Sequence, residues 1–207
     1  MNNFSPEFYL HLMKQALLLL VCLSAFAGAR SQNATHINLG TTIQNLSPND
    51  STTAVIPTTE RLLEDILAVT GLQPNFTLKE ADVLNIEASI AHKQRYILYN
   101  PSFIQQINMI SRDKWATLTL LAHEMGHHLN GHTLKRGGSS PHLELEADEF
   151  AGLVLYKLGA TLQQAQKVMN YIAKPVASAT HPSREDRLKA ISKGWHRELN
   201  MKKQNGV

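Results

Sequence analysis

Residues 113–129 read DKWATLTLLAHEMGHHL, and the spacing of apolar residues in this stretch decides how the chain folds. Trp115, Leu118, Leu121 with Ala122, Met125 and Leu129 recur at three- and four-residue steps, which is the period of one helix face. The pattern predicts an amphipathic helix over 113–129, stopped by Gly131. Its polar face carries His123, Glu124 and His127, opposite the Trp115/Leu118/Met125 stripe. Two histidines four residues apart sit about one helical turn apart. Both imidazoles therefore reach toward one point, where they can share a metal ion. Glu124, next to His123, points beside that ion, where its carboxylate can take a proton from water at an open coordination position.

A catalytic zinc takes three protein ligands and keeps one position open. Downstream, Ser140-Pro141 predicts the start of a second helix that Gly159 stops, with Ser as cap and Pro in the first turn. On it lie Glu144, Glu146, Asp148 and Glu149. Glu144 and Asp148 are four apart and share a face with the small residues Ala147, Ala151 and Gly152, which let two helices approach closely. Glu144 is assigned as the third ligand. Asp148, one turn on, is assigned as acceptor of the Nδ1 hydrogen of His123, a contact that fixes the ligand tautomer. Glu146 and Glu149 fall on other faces and read as solvated charges. His132 is the competing third ligand, although it and Gly131 are out of register with the HExxHxxGxxH spacing. His128, about 100° round the helix from His127, faces away from the metal.

Upstream, Thr59–Thr70 has Leu62, Leu63, Ile66, Leu67 and Val69 at helical spacing before Gly71. Phe76–Leu78, Asn85–Ile90 and Arg95–Tyr99 read as short strands, with a turn over Ala91–Gln94. Asn100-Pro101 opens a short helix through Asn108. Helices over Leu162–Ala173 and from Ser183 onward, the latter with Asp186 at the capping-box position, complete the pattern. No internal repeat is present. The fold class expected is α+β, mainly helical with a small three-stranded sheet.

The chain has 207 residues, 43% of them hydrophobic, enough for one globular core. The net charge is +3, with Lys and Arg scattered rather than clustered among aromatics, which argues against nucleic acid as a partner. The lone cysteine, Cys22, lies in a 14-residue apolar run, Ala16–Ala29, which follows Lys14 and ends in Ala27-Gly28-Ala29. That run reads as a cleavable export signal, too short for the roughly 20 residues of a spanning helix. Met13-Lys14 is a second candidate start. With Cys22 removed no thiolate remains, so any metal must be held by His and carboxylates. The expected domains are a signal over 1–29, a Ser/Thr/Asn-rich lead-in over 30–57, one domain over 58–200 and a tail over 201–207. The product is expected to be exported, periplasmic or secreted, with anchoring by an uncleaved signal as the lesser alternative, and peripheral association with membrane is the expected membrane contact.

HEMGH, then ELEAD (Glu144–Asp148), then His181-Pro182 with Arg187, resembles the HtpX and CAAX prenyl protease family of gluzincin metallopeptidases. The closest likeness is to its small exported BepA-like or Oma-like catalytic domains. The resemblance spans roughly residues 61–195. It implies a zincin-like fold in which the HExxH helix packs on the ExxxD helix. It also implies one zinc ion (Zn2+) per chain on His123, His127 and Glu144, base catalysis by Glu124, and a polypeptide substrate. His181 is implied to stand above the metal, as an oxyanion donor or as a latch filling the open position. Arg187 is expected either to orient the His181 segment or to form a surface salt bridge. The strand Arg95-Tyr96-Ile97-Leu98-Tyr99 is expected at a sheet edge beside the cleft, where an extended substrate can add to it, or else in the core. The function expected is a metalloendopeptidase. The alternatives are a latched or non-catalytic zinc-containing chaperone, or a hydrolase of non-peptide amides.

Overall fold

The computed structural model describes residues 56–134 and 139–204. The expected signal, nearly all of the lead-in, and Gly137-Gly138 lie outside the described residues. The first helix, α1, spans Thr59–Thr70, with the Thr58 hydroxyl accepting the Arg61 N–H and Gly71 closing the end at φ 67°. Three strands follow: β1 (Thr77–Glu80), β2 (Ile86–Ala91) and β3 (Gln94–Tyr99). The β2–β3 turn places His92 and Lys93 at φ 52° and 66°, the left-handed pair that a two-residue hairpin needs, here without glycine. Next, α2 (Pro101–Ser111) is capped by Asn100, whose side chain accepts from the N–H groups of Ser102 and Phe103. It runs three residues past the predicted end, because Arg112 takes the left-handed closing conformation at φ 57°.

The central helix, α3, spans Trp115–Leu129, and a short 3-10 turn covers His132–Leu134. Helices α4 (Pro141–Lys157), α5 (Leu162–Ile172) and α6 (Arg184–Gln204) complete the chain. Ser140 holds the N-cap position of α4, but its hydroxyl makes no capping bond. Thr161 and Gln164 form a full capping box on α5. At the start of α6 the Ser183 hydroxyl accepts from the Asp186 N–H and donates to its carboxylate at 2.6 Å. No helix among the described residues is long and apolar enough to cross a membrane.

The expected fold class is met in its coarse form: the described residues form six helices and a three-stranded sheet. The sheet order is β1-β3-β2, with β1 parallel and β2 antiparallel to β3. Helix α3 differs from its prediction. Every residue from Ala116 to Gly126 is buried, while Leu129, assigned to the apolar face, is 47% exposed. The helix is central, touching α1, α2 and the sheet as well as α4 and α5, so it is covered nearly all round. Its threonines are satisfied internally: Thr117 donates to Asn108 Oδ1 at 2.7 Å and Thr119 to the Trp115 carbonyl at 2.8 Å.

Close helix packing rests on glycines. A Cβ on Gly126 of α3 would lie 3.0 Å from the Ala147 Cα of α4. At the α4–α6 crossing the fit is tighter: a Cβ on Gly152 would lie 2.0 Å from the Ile191 carbonyl oxygen, and one on Gly194 would lie 1.8 Å from that of Glu149. The three helices thus meet backbone to backbone, and this brings α6 within reach of the polar groups buried between α3 and α4.

Candidate metal site

His123 and His127 project from one face of α3, and Glu144 meets them from the first turn of α4. The two Nε2 atoms are 3.1 Å apart. Glu144 Oε2 lies 3.3 Å from His123 Nε2, and Glu144 Oε1 lies 3.5 Å from His127 Nε2. Four ligands placed tetrahedrally at about 2.0–2.1 Å from zinc are separated by about 3.3–3.4 Å. The three side chains come close to that spacing, with one Glu144 oxygen toward each imidazole, so together they could hold a metal ion. Among the described residues this is the one group of three His, Cys or acidic side chains so arranged.

The surrounding contacts fix these donors. Asp148 is fully buried and its Oδ1 accepts from His123 Nδ1 at 2.9 Å. That bond fixes the ring so that Nε2 faces His127 and Glu144. Arg187, reaching in from α6, is 8% exposed and grips Asp148 with both arms of its guanidinium, Nε to Oδ2 at 2.7 Å and Nη2 to Oδ1 at 2.8 Å. Arg187 does not form a surface salt bridge: the glycine-paved crossing carries it inward to Asp148, behind His123. Glu144 also accepts the Ser139 hydroxyl.

Burial works against charge on His123, but Asp148 outweighs it and pushes the imidazole up to about 10. A more basic imidazole is also a stronger metal donor. Burial, and then the His123 charge, push His127 down to about 3, so it is neutral at pH 7. Burial opposes ionisation of Glu144 and Asp148 alike. The hydrogen bond from His123 nevertheless holds Glu144 far below the usual carboxylate range, and the Arg187 charge does the same for Asp148.

Glu124 is 8% exposed and its Oε2 accepts the Ala88 N–H at 2.7 Å. Burial pushes its carboxyl up to about 7; the His123 charge opposes the rise and the Glu144 charge adds to it. Glu124 and the three donors line one cleft of about 600 Å³, walled by Asn85–Ala88, by Leu143 and by parts of the 172–182 segment. His181 is in that wall, half-buried, with its Nδ1 2.8 Å from the Thr180 hydroxyl and its pKa lowered by burial.

Other expectations are placed differently. β3 is the central strand, so Arg95–Tyr99 cannot be an edge. Ile97 is fully buried, Tyr99 donates to Glu60 at 2.6 Å, and Arg95 donates to the His128 carbonyl at 2.8 Å. Tyr96 donates to Gln94 at 2.5 Å, and Leu98 pairs with Glu87. The edge facing the cleft belongs to β2, a position that no sequence pattern reveals because strand order depends on tertiary packing. His132 does not join the donor set. Its Nδ1 stands 3.0 Å from the outward Nδ1 of His127, and its Nε2 is 2.7 Å from Glu146. Glu146 is thus engaged at the site's margin, where a solvated charge was expected. Glu149 instead ties α4 to Lys193 and Arg197 of α6. His128 faces away, as expected, 2.9 Å from the Tyr96 carbonyl and stacked on Phe76.

Fold and donor set together define the class: a mainly helical protein in which two histidines and a glutamate, on two adjacent helices, form a group that could hold a metal ion. The resemblance to the HtpX and CAAX prenyl protease family holds, since residues 137–194 match the model of Peptidase family M48. The matched stretch carries Glu144, Asp148, His181 and Arg187 and begins after HEMGH. No curated protein matches the chain, and no solved structure does. The match covers well under half of the chain and points to a metallopeptidase.

Proposed function

We propose that the protein is a zincin-like metalloendopeptidase that uses one zinc ion to hydrolyse peptide bonds in exported, unfolded polypeptides. One observation carries the reading: two imidazoles and a carboxylate close enough to share an ion line one cleft with a buried carboxylate next in sequence to one of those imidazoles. His123, His127 and Glu144 would hold the ion. Zinc, when bound, supplies Lewis acidity toward water and a carbonyl oxygen. Glu124 takes the proton of the attacking water and returns it to the leaving amine. The Ala88 N–H holds one oxygen of that carboxylate in place. Asp148 and Arg187 keep the His123 ring aimed. His181 donates to the oxyanion from the cleft wall. The β2 edge offers backbone groups to an extended chain, a mode that reads shape more than sequence and suits unfolded substrates. Export, to a periplasm or outside the cell, rests on the leader over 1–29, and peripheral contact with a membrane is compatible with it.

The test is zinc content together with casein cleavage, with and without chelator. His181→Ala is expected to lower kcat by about 10²-fold, the usual cost of losing one oxyanion donor. A rise in kcat would instead assign His181 as a latch, making the resting protein a zinc-containing binding protein.

The pH profile provides a second check. Glu124 must be ionised to accept a proton, and burial raises it to about 7, while a bound cation lowers it again. The acid limb of kcat/KM is thus expected at or below about pH 7, with activity falling as pH falls. Activity that climbs on acidification would be incompatible with a carboxylate base.

A further inference from the structure

We propose that His132 and Glu146 form a relay that positions His127 as a ligand; this rests on the reading of His127 as metal-binding. Each ligand imidazole needs something behind it to fix its tautomer. For His123 that is Asp148. Among the described residues no carboxylate is hydrogen-bonded to the outer nitrogen of His127; its Nδ1 instead meets His132 Nδ1 at 3.0 Å.

Two facing ring nitrogens at that distance share one hydrogen, and the reading of His127 as a ligand fixes its place. His127 Nε2 faces the donor cluster, 3.5 Å from Glu144 Oε1, so it keeps its lone pair and the hydrogen sits on Nδ1. His132 Nδ1 is then the acceptor. Its own hydrogen lies on Nε2, which is 2.7 Å from Glu146 Oε2. Every donor thus meets an acceptor, ending on a carboxylate. His132 is only 6% exposed, so water is no ready substitute. Glu146 is anchored in turn by His142 Nε2, 2.8 Å from its Oε1. The geometry depends on Gly131, whose φ of 68° turns the chain after α3 so that residue 132 folds back beneath residue 127. It follows that Glu144, Glu146 and Asp148 of α4 all serve the site: Glu144 at the ion, Asp148 behind His123 and Glu146 behind His127 by way of His132.

The test measures zinc affinity by competition with a calibrated chelator in the intact protein, independently of turnover. His132→Leu is expected to weaken zinc binding about 10- to 100-fold, and His132→Gln, whose amide can accept and donate, to recover most of that loss. In the zinc-loaded protein, nitrogen-15 spectra of the imidazoles should show the Nδ1–H form of His127, with its downfield proton lost in His132→Leu. Glu146→Ala lies at a half-exposed position and serves where His132→Leu fails to fold. It should weaken zinc about 10-fold, and Glu146→Ala combined with His132→Leu should be no weaker than His132→Leu alone. Unchanged affinity in His132→Leu, or fully additive losses in the pair, overturns the relay. If wild type holds no zinc, or His127→Ala binds it as tightly, the metal-site reading fails instead.

Discussion

Glu124→Gln is expected to lower kcat/KM for casein by about 10²–10⁴-fold, the usual contribution of a positioned general base, while zinc stays near one per chain. The two readouts separate because Glu124 is outside the donor set of His123, His127 and Glu144. Gln keeps an oxygen that can accept the Ala88 N–H, now 2.7 Å from the carboxylate, so the cleft wall should stay in place. It has no basic oxygen for a proton. If the variant cleaved casein at wild-type rate with zinc bound, Glu124 could not be the base. If it lost zinc as well, Glu124 would belong to the metal's support rather than to the reaction.

The second large effect lies well away from the chemistry. Gly→Ala within a helix ordinarily stabilises by up to about 1 kcal/mol. At Gly194 the sign should reverse, because the added Cβ would sit 1.8 Å from the Glu149 carbonyl oxygen, and at Gly152 it would sit 2.0 Å from that of Ile191. The obstacle is backbone, so no side chain can swing aside and a helix must move. Overpacking of this kind costs about 1–3 kcal/mol and sometimes more, and each kcal/mol lowers Tm by about 2–4 °C in a domain of this size. Gly194→Ala is therefore expected to lower Tm by roughly 5–10 °C and to weaken zinc binding, since moving α6 withdraws Arg187 from Asp148. A Tm equal to or above wild type would show that the crossing can open without loss.

The sequence was legible where the physics is local. Gly71, Asn100-Pro101 and Gly159 punctuate helices through their own backbone and side-chain preferences, and the end of α1 and the start of α2 follow from them, whereas the Thr58 and Thr161 caps emerged only in the fold. The i, i+4 spacing of His123 and His127, with Glu144 and Asp148 on one face, is a property of single helices and could be read directly. Relations between elements could not. Nothing in RYILY tells a central strand from an edge, since β-branched and aromatic residues suit both. The burial of α3 on all sides depends on α4 and α5 closing over it. Arg187 lies 39 residues from Asp148, and only the glycine crossing joins them. His132 showed itself as a histidine out of register with a known ligand spacing. Its partner became visible once Gly131 had turned the chain back.

The sheet order also settles where the sheet can grow. β3 has partners on both sides, so any additional strand must join β1 or β2. β1 is four residues long, with Lys79 and Glu80 exposed, and short, charged borders are poor templates for foreign chains. β2 offers six residues and turns its outer side to the cleft. Under the proposed function, an extended segment would be disfavoured at the β1 border and accepted at the β2 border, which leads to the buried histidines.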